Sequence, residues 1–145
     1  MSIKQQLAVG LAVLSLAMPS FADIQHIVVF RYQPDVSAPL RAENARRFVA
    51  LKSLAKRDGR SYIVSIVGGK AISREGFDQT FDEAFVVTFK NEADRNYFVG
   101  KPYSDAMDPE HLALAKVVEP LLVHDASGKL TGLFVFDFDD KALAR

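Results

Sequence analysis

Apolar and polar residues alternate in four short runs along this chain, and the intervals between them carry apolar residues at helical spacing. Ile24 to Tyr32 (IQHIVVFRY) is rich in β-branched and aromatic residues and reads as a strand. One face would carry Ile24, His26, Val28, Phe30 and Tyr32, the other Gln25, Ile27, Val29 and Arg31. Gln33-Pro34-Asp35 ends it. Ser37 can cap a helix over about 38–57, with Pro39 in its first turn. Leu40, Phe48, Leu51 and Leu54 recur there at helical spacing, and Asp58-Gly59 stops it.

The second half repeats the theme. Ser61 to Gly68 (SYIVSIVG) is a second strand, with Gly68-Gly69 read as its exit. Residues 71–79 are polar and irregular, and Thr80 to Lys90 (TFDEAFVVTFK) gives a third strand. Asn91-Glu92-Ala93-Asp94 starts a short helix to about Val99, and Gly100-Lys101-Pro102 breaks it. Asp108-Pro109 opens another helix, which Pro120 should kink or end. After a turn-rich link at His124 to Lys129, Leu130 to Asp139 forms the last strand, with Phe134, Phe136 and Phe138 on one face and Asp137 on the other. The order is βαββαβ, with the second helical region in two pieces. It implies an α+β sandwich of the ferredoxin-like kind: a four-stranded antiparallel sheet with helices on one face. The other face is left to find cover, and an apolar open face argues for a homodimer formed through the sheets.

The N-terminus belongs to a different pattern. Lys4 is followed by a twelve-residue apolar run, Leu7 to Met18, and then Pro19-Ser20-Phe21-Ala22, which places small residues before a cut after Ala22. This is the layout of a secretory signal peptide over residues 1–22, too short for a comfortable membrane span. An uncleaved anchor is the alternative; after cleavage no stable membrane anchor is expected. The domain would occupy residues 23–140 and leave a tail at 141–145. The mature chain from Asp23 keeps 17 basic and 18 acidic side chains, so nothing favours nucleic acid as a partner. It has no cysteine, hence no disulfide framework and no thiolate chemistry. The expected destination is a bacterial periplasm, with secretion as the alternative.

Candidate chemistry concentrates at Asp108-Pro109-Glu110-His111. Asp108 can accept hydrogen bonds from free helix N–H groups, and Pro109 suits the first helical position. His111 then sits at the positive end of the helix, which disfavours imidazolium and leaves a neutral ring able to act as base, acceptor or metal ligand. Asp105, Asp108 and Glu110 lie near it in sequence, but their spacing fits no strong metal motif, so no metal is expected. No phosphate loop, serine elbow or haem motif is present, and no cofactor is expected. His26, on an apolar strand, is the second histidine of interest; Tyr62, Phe85 and Phe89 read as core or interface. His124-Asp125 and the acidic Asp137, Asp139 and Asp140 read as solvated.

Several strings resemble the stress-responsive A/B barrel family, the dimeric α/β barrels often labelled Dabb. They are His26-Ile27-Val28-Val29-Phe30-Arg31-Tyr32, then Phe85-Val86-Val87-Thr88-Phe89 with Asn91-Glu92-Ala93-Asp94-Arg95-Asn96-Tyr97, then Asp108-Pro109-Glu110-His111, and finally Leu133-Phe134-Val135-Phe136-Asp137-Phe138. The resemblance implies a homodimer whose two sheets form a common barrel with helices outside. The family's functions are varied. Some members carry a stress label with no known chemistry, while a plant branch of polyketide cyclases closes its substrate by aldol condensation with a strand-one histidine, a tyrosine and the signature histidine. Carried over, these are His26 and His111, with Tyr97 or Tyr103 as the tyrosine. The cyclases place the tyrosine three residues before the signature, where this chain has Asp105; Tyr97 aligns only if 100–107 is an insertion, and Tyr103 lies inside that segment.

Three functional readings follow. The first is an exported dimer that binds a small hydrophobic or aromatic molecule, or serves a stress role, without turnover. The second is a cofactor-independent lyase or cyclase acting on a polyketide-like or aromatic compound. There His111 would be the general base and a tyrosine hydroxyl would steady an enolate oxygen. The third is a cofactorless monooxygenase-like barrel. A cavity holding His26, His111 and a tyrosine hydroxyl would favour the second; a space filled with phenylalanine would favour the first.

Overall fold

The structure is a computed structural model and describes residues 23–139. The leader at 1–22, Asp140 and the tail at 141–145 lie outside the described residues. The elements are β1 (Ile24–Phe30), α1 (Ala38–Leu54), β2 (Ile63–Lys70), β3 (Glu83–Phe89), α2 (Glu92–Val99), α3 (Pro109–Val118), a 3-10 turn (Glu119–Leu121) and β4 (Leu133–Asp139). The sheet order is β2-β3-β1-β4 with every neighbour antiparallel, the arrangement expected of a ferredoxin-like sandwich.

Local chemistry explains the helix limits. Ser37 accepts from the Leu40 N–H, Asn91 from the Asp94 N–H, and Asp108 from the Glu110 and His111 N–H groups. Helix α2 stops at Gly100, whose φ of +75° suits glycine, and Met107 packs where a Cβ would sit. Pro120 converts the end of α3 into the 3-10 turn, as its missing N–H and fixed φ require.

Strand limits differ from the sequence expectation at several ends: β1 stops at Phe30, leaving Tyr32 in an isolated bridge to Leu122, and β2 starts at Ile63 rather than Ser61. β2 does not exit at Gly68-Gly69 but runs through both to Lys70. A Cβ on Gly68 would lie 2.4 Å from the Phe85 ring, so the absence of a side chain lets Phe85 lie flat across the strand. β3 begins at Glu83 rather than Thr80, because Gln79 and Thr80 both turn through positive φ. β4 begins at Leu133, Leu130 being tied instead to His124 in an isolated bridge.

The two sheet faces have opposite fates. The helix side carries Ile24, His26, Val28 and Phe30 beside Val87 and Phe85, and the rings of Phe48 from α1 and Phe85 stack 4.4 Å apart. Phe85, Val87, Phe89 and Phe98 are fully buried there, each large apolar side chain contributing about 1.5–3 kcal/mol. On the far side, Phe134, Phe136 and Phe138 stand roughly half-exposed beside Val29, Ile27 and Gln25 respectively. The helices gather over β1, β2 and β3, and the edge strand β4 has the least cover.

Candidate functional site

A cavity of about 300 Å³ lies between the sheet and the helices, on the side of the thinly covered edge strand. Its walls follow from two periodicities. From α3 and the turn after it come His111, Leu114, Ala115, Val118 and Leu122, a stripe at i, i+3, i+4, i+7 and i+11. From β1 come His26, Val28 and Phe30, the inward set of alternate residues. Leu133 and Val135 of β4, with Val99 and Met107, close the remainder. Exposed Lys101 and Glu119 also border it, and every other lining side chain apart from the two histidines is apolar.

The cavity brings His26 and His111 together. Phe98 links them: its ring stacks on His111 at 3.9 Å and meets His26 edge-on at 5.9 Å. His111 Nδ1 lies 2.8 Å from the Phe98 carbonyl oxygen. A carbonyl can only accept, so Nδ1 carries the hydrogen and Nε2 is left with its lone pair. Burial pulls the His111 imidazole below its usual 6.5; the Phe98 carbonyl opposes this and the nearby His26 reinforces it. Desolvation is thus the largest influence on this ring, and it acts toward the neutral form, the direction the sequence implies.

His26 is held differently. Its Nδ1 donates to Asp137 Oδ1 at 2.6 Å, and the other Asp137 oxygen is paired with the Arg95 guanidinium. Burial would raise the Asp137 carboxyl, but the His26 hydrogen bond and the Arg95 charge hold it below its usual value. Arg95 is itself buried, donates through Nε to Asn96 Oδ1, and lies under the Tyr103 ring at 4.0 Å. The reading of Asp137 as part of a solvated acidic edge is therefore corrected. β1 and β4 are adjacent, and their register sets Asp137 directly opposite His26 on the helix side.

Neither tyrosine of interest lines the cavity. Tyr97 packs against Tyr62 and under Arg57, with its hydroxyl 3.5 Å from the Lys56 carbonyl. Tyr103 rests on Arg95 and is half-exposed, two partners removed from His26. The carboxylates near the signature are also committed elsewhere. Asp108 is fully buried: Oδ1 accepts from the Glu110 and His111 N–H groups and Oδ2 from the Tyr62 hydroxyl at 2.7 Å. Burial and that bond push the Tyr62 phenol far above its ordinary range. Asp105 is exposed beside Lys101. No cluster suited to a metal ion occurs among the described residues.

Sequence reasoning missed Asp137 and Arg95. The signal for Asp137 was available in the strand order of a ferredoxin-like sheet, which puts the first and last strands side by side. Arg95 gives no local signal, since an arginine in a short polar helix is ordinarily a solvated one.

Residues 24–140 match the family model of the stress responsive A/B barrel domain, Dabb. The chain belongs to this family. No curated protein matches it. Similar solved structures include the hydroxynitrile lyase of Passiflora edulis, at a TM-score of 0.62 and 20% identity over 81% of this chain and 93% of that one. A protein of Arabidopsis thaliana has a TM-score of 0.60 and 18% identity, covering 80% of this chain and 93% of its own. A dimeric ferredoxin-like protein of unknown function from Jannaschia sp. CCS1 has a TM-score of 0.60 and 14% identity, covering 81% and 98%. At these identities the likeness concerns the Dabb fold.

Proposed function

We propose that this Dabb protein is an exported homodimer that takes a small, largely apolar molecule into the cavity beneath β1 and transfers a proton there without a cofactor, in the manner of a lyase. One observation carries the reading. Two histidines from distant parts of the chain border one apolar cavity, each with Nδ1 committed to a partner outside the lining and Nε2 left for a ligand. His111, held neutral, is suited to receive a proton; His26, fixed by Asp137 and Arg95, is suited to steady the ligand oxygen at which charge changes. Apolar walls keep water away from that exchange. Resemblance in fold to a hydroxynitrile lyase supports the lyase branch as a scaffold already used for such chemistry.

The dimer is part of the same proposal. Phe134, Phe136 and Phe138 form a continuous half-exposed row on the open sheet face, which a second copy of this chain would bury. Several structures of similar fold are described as dimeric. Export rests on the leader pattern at residues 1–22.

A second reading is binding without turnover, and it has its own support: no tyrosine borders the cavity to supply the hydroxyl that a cyclase would use. One experiment separates the two. The chain from Asp23 is incubated with an aromatic hydroxynitrile while aldehyde and cyanide release are followed, and binding is measured by calorimetry. Turnover that falls about 100-fold or more in His111→Ala supports proton transfer. Saturable binding with no turnover of this or related hydroxyl compounds leaves the binding reading. Absence of both overturns the site.

A further inference from the structure

A second concavity, of about 670 Å³, shares no residue with the histidine cavity. It lies beyond the end of α1, beside the paired ends of β2 and β3, and its lining includes Arg57, Arg60, Ser61, Lys90 and Asp94. Arg57 and Arg60 exchange backbone hydrogen bonds of 2.9 and 3.0 Å across the two-residue turn Asp58-Gly59, both of whose residues take positive φ. Residues paired in this way send their side chains to one face, where like charges repel. Only half of that repulsion is compensated. Arg57 Nη1 meets Asp94 Oδ1 at 3.2 Å, and its guanidinium lies over the Tyr97 ring. Arg60 has no acidic partner among the described residues, and neither has Lys90, which follows Phe89 on β3.

Donors prevail over free acceptors around this space. Lys56 donates to Ser61 Oγ at 2.6 Å, which leaves the Ser61 hydroxyl hydrogen for a ligand. Asp94 is engaged on both oxygens, by Arg57 on Oδ1 and by Asn91 Nδ2 on Oδ2. Asp58, exposed at the tip of the turn, is the remaining carboxylate on the rim. Cations at a helix C-terminus are ordinary, which accounts for Lys52 and Lys56 at the end of α1. Arg60 and Lys90 lie past that end and have no such account. Residues 52–60 hold four basic side chains and one acidic, in a mature chain that carries 17 against 18.

We propose that this second concavity binds a small soluble phosphomonoester that carries hydroxyl groups, of the glycerol phosphate or sugar phosphate class. The phosphate oxygens sit between the Arg57 and Arg60 guanidinium groups, with Lys90 and the Ser61 hydroxyl as further donors, and a ligand hydroxyl donates to Asp58. A dianion placed there turns two repelling arginines into a fork closed on its oxygens. A monocarboxylate brings fewer oxygens and half the charge to the same donors, and an uncharged polyol leaves the repulsion in place. The site does not depend on the chemistry of the histidine cavity.

The test is a titration of the chain from Asp23, at low ionic strength, with glycerol 3-phosphate, acetate, glycerol and vesicles of phosphatidylglycerol. Calorimetry reads the affinity, and the backbone amide resonances of residues 57–63 and 90 read the place. The expected result is saturable binding of glycerol 3-phosphate, at least about tenfold tighter than acetate, with shifts centred on those amides. Arg60→Gln and Lys90→Gln, on separate segments, should each weaken it about tenfold. Arg60→Gln should also leave the urea midpoint of the unliganded protein unchanged or raised, since it relieves the repulsion. A clear fall in that midpoint would show that Arg60 serves the fold, and overturns the proposal. Equal affinity for acetate, or binding unchanged in both variants, does so too. Binding to the vesicles with none to glycerol 3-phosphate overturns it in favour of a basic surface that meets lipid. If no addition moves these amides, the cations are solvated and the site falls.

Discussion

Asp137→Asn removes one negative charge from the trio behind the cavity while keeping the side-chain shape. Its consequence can be worked from burial. The Arg95 side chain is 10% exposed and that of Asp137 20%. Breaking a buried ion pair from one side costs about 3–5 kcal/mol, because the remaining charge is left without compensation. The partial exposure of Asp137, and the hydrogen bond that asparagine can still accept, reduce this to about 2 kcal/mol. Arg95→Met should cost a similar amount by stranding the Asp137 carboxylate, which would keep only His26. The double variant removes both charges at once. It should therefore lose less than the two single losses combined, with a coupling of about 1–2 kcal/mol. Urea unfolding at one fixed protomer concentration measures all four proteins. With a slope of about 1.5 kcal/mol per M for a domain this size, a 2 kcal/mol loss moves the midpoint by about 1.3 M. Strict additivity, within about 0.5 kcal/mol, would show that Arg95 and Asp137 do not share a bond, and the account of how His26 is oriented would fail with it.

Three further outcomes are expected. Tyr62→Phe deletes the hydroxyl that Asp108 Oδ2 accepts from and should cost about 1.5–3 kcal/mol in thermal or urea unfolding; a loss below about 0.5 kcal/mol would mean that the bond contributes nothing. His111 has a folded value below its unfolded 6.5, so as pH falls through 6.5 the unfolded chain takes up the proton first and the fold loses stability until the folded value is passed. Unfolding midpoints over pH 5–8 should thus rise with pH, by no more than about 1.4 kcal/mol per unit, and His111→Phe should remove that part of the slope. Phe136→Asp, at the centre of the open aromatic row, should give a monomer by analytical ultracentrifugation where the parent is a dimer; an unchanged dimer would move the interface off this face.

Much of the fold is written in local pattern. Alternation in β1 separates His26, Val28 and Phe30 from Gln25, Ile27 and Val29, and the two sets do take opposite faces. The caps at Ser37, Asn91 and Asp108 were legible because a short oxygen-bearing side chain before a helix meets its free N–H groups within three residues. Gly68-Gly69 misled because glycine commonly ends a strand. Here it is needed inside one, and the cause is Phe85 on the neighbouring strand, which no window along the chain contains. The pairing of His26 with Asp137 spans 111 residues and depends on strand order. Tyr97 was placed by alignment with relatives and Tyr103 by lying in the added segment before the signature, yet the two rings pack on Arg57 and Arg95, contacts that the local sequence does not single out.

By itself, the sequence determined the kinds of element, their order, the faces they bury and the helix that presents His111, since all of these depend on residues within a turn or two of one another. Only the tertiary structure decided which side chains share a space: that the inner stripe of α3 faces the inward set of β1 across a cavity, that β4 carries Asp137 to His26, and that neither tyrosine borders the cavity. Those outcomes rest on strand order and on distances between segments far apart in the chain. A local pattern constrains the direction in which a side chain leaves its own backbone, and has no hold on what it meets.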